Sequence, residues 1–134
     1  MPDAKTILVV DDEAQLALAV KIRLQSTGYT VYTATDGRQA LELVAEHQPD
    51  LIILDILMPI MDGYSFLREL NKRFGRGAFP VVVCSARDRM KDLFELEGIA
   101  DYLIKPFDHE DLLLRVQRVL KRSAGPLTPP PGER

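Results

Sequence analysis

Several features that would settle a function at once are missing from this chain. It has a single cysteine, Cys84, so no internal disulfide can form. That residue lies inside the apolar run VVVC and reads as a small core side chain rather than a nucleophile. No apolar run approaches the ~18 residues of a membrane span, and the opening MPDAKT does not read as a signal peptide. The formal charge of −3 is too mild to draw the chain to nucleic acid or to an anionic membrane. The two histidines, His47 and His109, share no ligand spacing with Cys84, which argues against zinc. No GxxxxGK[ST] loop occurs, and GRGAFP fails the dinucleotide fingerprint and follows a helix-patterned segment rather than a strand. No Ser/His/Asp arrangement is convincing. The expectation is a soluble cytoplasmic protein with neither a membrane nor a nucleic-acid partner.

What is present is an ordinary globular composition, 46% hydrophobic and 28% charged, in 134 residues, the length of one domain with a real core. The segment SAGPLTPPPGER, Ser123 to Arg134, offers almost nothing to bury and reads as a Pro-rich disordered tail or linker stump. The folded unit is therefore expected over residues 1–122.

Five short runs have strand character: TILVV (6–10), YTVYTA (29–34), LIIL (51–54), VVVC (81–84) and DYLI (101–104). The first, third and fourth are nearly unbroken aliphatic runs, as expected of parallel strands covered on both faces, whereas the second alternates as an edge strand does. Helical spacing separates them. Leu16, Val20 and Leu24 recur at four-residue steps, as do Phe66, Leu70 and Phe74, while Leu41 and Val44 are three apart. Leu112, Val116 and Val119 or Leu120 form a last stripe before Lys121 and Arg122. STG (26–28) reads as a helix stop, and Asp36 and Asp108 as N-caps. Met90, Leu93 and Phe94 make a shorter helical signal after Ser85. This alternation predicts an α/β, flavodoxin-like three-layer sandwich, with a five-stranded parallel sheet of order 2-1-3-4-5 and helices on both faces.

In such sheets, ligands gather at the carboxyl ends of the strands. Here those ends carry Asp11-Asp12-Glu13, Asp55, Ser85 and Lys105. Taken singly, each has an ordinary structural reading: a turn residue or N-cap for the acids and the serine, a solvated surface residue for the lysine. Together they form a constellation at one rim. Crowded carboxylates require a proton or a cation among them, and oxygen-only ligands suit Mg²⁺. With metal, ammonium and hydroxyl around it, Asp55 can act as a nucleophile and become an aspartyl phosphate.

The motifs ILVVDDE, PDLIILDILMPIMDG, VVVCSA and DYLIKPF resemble, in order, the receiver domain of two-component response regulators, over Lys5 to Arg122. The resemblance implies that Asp55 is the phosphoacceptor and that Asp11, Asp12, Asp55 and the backbone carbonyl of Leu57 hold Mg²⁺, with Mn²⁺ as a substitute. It casts Ser85 and Lys105 as phosphoryl-stabilising groups, Ser85 and Tyr102 as switch residues, and Lys105-Pro106 as a cis peptide. Tyr102 on its own reads as a half-exposed strand aromatic.

The resemblance further implies a bacterial phosphorelay partner, either a histidine kinase or a histidine phosphotransfer protein, and a downstream protein target or effector domain. The switching face would comprise the helix expected between the fourth and fifth strands, the fifth strand and the final helix; a homodimer through that face is a further implication. Such a protein is a signalling switch that catalyses only its own phosphotransfer and dephosphorylation. Two features depart from the pattern or tune it. Only 19 residues separate Ser85 from Lys105, fewer than is usual in the family, and Arg87 and Leu57 stand at positions that adjust phosphoryl lifetime. The alternatives are a pseudo-receiver that docks proteins without phosphorylation, and an aspartate-nucleophile phosphatase, which would need an acid where Leu57 stands.

Overall fold

The structure, a computed structural model, describes residues 4–55, 63–75, 77–86 and 99–124, without the side chains of 85, 86, 123 and 124. In chain order the elements are β1 (Thr6–Val10), α1 (Ala14–Ser26), β2 (Thr30–Ala34), α2 (Gly37–His47), β3 (Leu51–Asp55), α3 (Gly63–Phe74), β4 (Val81–Ala86), β5 (Ile99–Lys105) and α4 (His109–Ala124). The strands form one parallel sheet in the order β2-β1-β3-β4-β5. The helical signal at Met90, Leu93 and Phe94 and the tail beyond Ala124 lie outside the described residues.

The central strands are apolar throughout because both of their faces are covered. Along β3, Leu51 and Ile53 belong to the core beneath α1 and α4, whereas Ile52 and Leu54 join the core beneath α2 and α3. Every residue of β3 is buried, including the terminal Asp55. β2, at one edge, does not alternate strictly in burial as its sequence suggests: Val31 and Ala34 are buried, Tyr32 and Thr33 are partly covered, and Thr30 is exposed.

Local signals explain the helix ends. Asp36 accepts a hydrogen bond from the Gln39 N–H at 2.9 Å and caps α2, while the Thr35 N–H donates in return to Gln39 Oε1. α1 stops in a Schellman turn. The Tyr29 N–H reaches Leu24 O, the Gly28 N–H reaches Gln25 O, and Gly28 takes the positive φ (105°) that the turn requires. Tyr29 is used in closing this turn, so β2 begins one residue later than its pattern suggests. Asp108 precedes α4, and its carbonyl accepts from the Leu112 N–H at 3.1 Å.

Packing rearranges two of the predicted stripes. On α1 the deepest positions are Ala17, Val20 and Leu24, and Leu16 packs only partly against them. On α3, Phe66 and Leu70 are buried, but Phe74 lies at the margin, edge-on to Phe79 with ring centroids 5.4 Å apart. α4 buries Leu112, Val116, Val119 and Leu120, the stripe its spacing predicts.

Candidate functional site at the carboxyl rim of the sheet

Because β1, β3, β4 and β5 are neighbours and parallel, their carboxyl ends share one rim. The register places Asp55 opposite Cys84, Ser85 opposite Ile104, and Ala86 opposite Lys105. Asp11 follows β1 directly. Its N–H donates to Ala34 O at 3.0 Å, and its Oδ1 accepts from the Glu13 N–H at 2.9 Å. The second bond commits Asp11 to the loop. The position that opens α1 falls to Glu13, whose side chain makes no cap hydrogen bond.

Asp11 and Asp55 are the buried polar residues among those described, 6% and 7% exposed. A carboxylate taken that far from water needs a partner. Lys105 supplies one: its Nζ donates to Asp11 Oδ2 at 3.3 Å and lies 3.4 Å from Asp55 Oδ1 and 3.7 Å from Glu13 Oε1. Burial works against the Lys105 ammonium, but Asp55 and then Asp11 outweigh it and hold the amine above its ordinary pKa. The adjacent Cys84 thiol is pushed up to about 12, chiefly by burial. It is a core group, as its sequence context predicts, and no nucleophile.

One ammonium does not balance the acids around it. Asp11, Asp12 and Asp55 each bring a carboxylate oxygen to a point where all three atoms lie within 4.8 Å of one another. Asp12 is exposed and the other two are buried, so the cluster opens to solvent on one side. An all-oxygen, open, net-negative set of this kind fits a hard divalent cation.

The remaining sequence candidates divide as follows. Tyr102, on the edge strand β5, is 37% exposed. The Lys105–Pro106 peptide is cis. The backbone of Ser85 occupies the end of β4, and its side chain, like the carbonyl of Leu57 and the whole of Arg87, lies outside the described residues. The sequence reading passed over Asp101 and Arg115, which meet at 2.7 Å beside Tyr102. The available signal was Asp101 itself, an acid inside a strand rather than at its carboxyl end.

The residues matched by a family model, 7–117, are those of a response regulator receiver domain. The chain belongs to this family. Among solved structures, it is similar to the receiver domain of Francisella response regulator 1452, with 33% identity and a TM-score of 0.78 over 89% of this chain and 98% of that one. It is similar also to the chemotaxis protein CheY4 of Vibrio cholerae, with 32% identity and a TM-score of 0.77 over 87% and 98% of the two chains. A response regulator receiver domain from Clostridium thermocellum matches at 27% identity and a TM-score of 0.78, over 88% and 95%. The protein is thus a receiver domain of two-component systems, a signalling switch built to work with phosphotransfer partners and effectors. No helix among the described residues is long and apolar enough to cross a membrane.

Proposed function

We propose that Asp55 accepts a phosphoryl group from a phosphohistidine on a histidine kinase or phosphotransfer protein, in a Mg²⁺-dependent reaction, and that the charge so added switches the face containing β5 and α4. The observation that carries this reading is the buried Asp55 carboxylate, clustered with Asp11 and Asp12 and paired with Lys105.

An Asp55 oxygen attacks phosphorus and forms a P–O bond as the P–N bond to the partner's imidazole breaks and its electrons return to the ring. Asp11, Asp12 and Asp55 would hold Mg²⁺, which neutralises phosphoryl oxygens and orients the donor when bound. The rigid end of β3 holds the carboxylate in position, so little orientational freedom is lost on reaction. Lys105 already faces Asp55 and is kept charged by its acid neighbours, so it pairs with the charge that arrives. The Ser85 hydroxyl is assigned as a donor to a phosphoryl oxygen, with the Leu57 carbonyl as a further metal ligand. Tyr102 changes exposure as the face is repacked, a two-state element biased by one charge cluster. We place the reaction in the cytoplasm, with Mn²⁺ as a substitute metal and a downstream protein or effector domain as the receiver of the signal.

The test is intact-protein mass after incubation with acetyl phosphate and Mg²⁺. One added phosphoryl group, abolished by chelator, supports the proposal. No gain by folded protein would favour a receiver fold used only for docking.

A further inference from the structure

β5 is an edge strand: it pairs with β4 on one side and ends the sheet order on the other. Its outward backbone groups therefore need other partners, and α4 provides them for the carbonyls of Tyr102 and Ala100. The Arg115 guanidinium donates through Nη1 to Tyr102 O at 3.0 Å and to Asp101 Oδ1 at 2.7 Å. The same Asp101 oxygen accepts from the Tyr102 N–H at 2.8 Å. Both outward polar groups of Tyr102 are thus held by one ion pair. Two helical turns further along α4, Arg122 Nη2 donates to Ala100 O at 3.3 Å, the next carbonyl on that edge. The ion pair is well shielded, with the Asp101 side chain 14% and that of Arg115 30% exposed.

We propose that Asp101 and Arg115 form a latch that fixes the backbone of Tyr102 and thereby sets how readily its ring leaves the outward position. Arg115 is a positioning residue; it acts through the peptide groups of residue 102 and touches none of the acids at the rim. The proposal rests on the reading of Tyr102 as a switch residue and adds the element that controls it. Reorienting a strand side chain requires small backbone adjustments, and a residue whose two flanking peptide groups are both bonded, one through its N–H and the other through its C=O, resists them. Tyr102 and Arg115 also line one open groove of about 290 Å³ with Ile104 and Phe107. Loss of the latch then raises the population of the inward ring without any phosphoryl group present.

The experiment uses the full chain labelled with 3-fluorotyrosine, with the Tyr102 fluorine signal assigned by its loss in Tyr102→Phe. Amide exchange at Tyr102 is measured beside that of Val9 and Ile53 in the central strands. In Arg115→Ala and, independently, in Asp101→Asn, Tyr102 amide exchange should quicken about tenfold, the loss expected for one charge-assisted hydrogen bond. The central amides should be unchanged, and the ring signal should move toward its position in wild type carrying beryllofluoride and Mg²⁺. Arg115→Lys, which keeps the charge but loses the forked geometry, should fall between. Faster exchange with an unmoved ring signal would reduce the pair to an edge cover and overturn the proposal, as would unchanged exchange. A wild-type ring signal that ignores beryllofluoride and Mg²⁺ would instead overturn the reading of Tyr102 beneath it.

Discussion

Lys105, the last residue of β5, reaches past the end of β4 to bring its Nζ within 3.4 Å of Asp55 Oδ1 on β3. That contact spans three strands and fixes the electrostatics of the rim. Two buried carboxylates face one ammonium, and their charge holds that amine above its ordinary pKa. Such a pair is costly to break from one side, because the buried charge that survives loses the ammonium facing it.

Replacing Lys105 by Met should accordingly destabilise the metal-free protein by about 1–3 kcal/mol, the low side of the range for a buried pair because the lysine retains some contact with water. The variant should gain more thermal stability from added Mg²⁺ than wild type does, since the acids have lost their internal counter-ion. Thermal melts with and without Mg²⁺ check both effects. An equal Mg²⁺ shift in the two proteins would count against the compensation argument.

Asp12 contributes differently. It is the exposed member of the acid cluster, and its loss leaves the core intact. Asp12→Ala should leave the metal-free melting temperature nearly unchanged yet weaken Mg²⁺ binding about tenfold or more, read as a smaller Mg²⁺-induced rise in melting temperature.

The thiol of Cys84 gives the pH prediction. Its folded pKa of about 12 lies above the ordinary value of 9.0, because burial favours the neutral form. The native state thus holds the proton more tightly than the unfolded chain. The resulting stability is complete below pH 9.0 and is lost as the pH rises toward about 12. At pH 8 the native thiolate fraction is about a thousandfold below that of the unfolded chain. A disulfide-exchange reagent should therefore leave folded protein essentially unmodified and react promptly in denaturant.

Away from the rim, Asp36→Ala removes the carboxylate that caps α2 and should cost about 0.5–2 kcal/mol in urea unfolding. Phosphoryl uptake should be unaffected, because α2 begins beside the edge strand β2, away from Asp55.

The sequence carried much of this because parallel strands buried on both faces must be apolar throughout, so LIIL read as a central strand with Asp55 at its end. The cap at Asp36 and the stop at STG were legible for the same local reason: each is set by a side chain or a glycine that acts on its immediate neighbours. Side-chain depth was less legible. Leu16 and Ala17 are adjacent on α1, and it is the smaller residue that went inward. Nor did spacing reveal that Arg115 would meet Asp101, since that pairing depends on how α4 lies across β5. The meeting of Asp11, Asp55 and Lys105 at one rim followed from the strand order, although nothing in their spacing told that the Lys105 ammonium would touch both carboxylates.

The most direct test of the central claim is to locate the phosphoryl group. Protein treated with acetyl phosphate and Mg²⁺ would be reduced with borohydride, which converts an aspartyl phosphate to homoserine, and then sequenced by tandem mass spectrometry. The account predicts homoserine at position 55 and nowhere else, no conversion with chelator present, and none in Asp55→Asn. Homoserine at another acid, or undiminished uptake by Asp55→Asn, would contradict it.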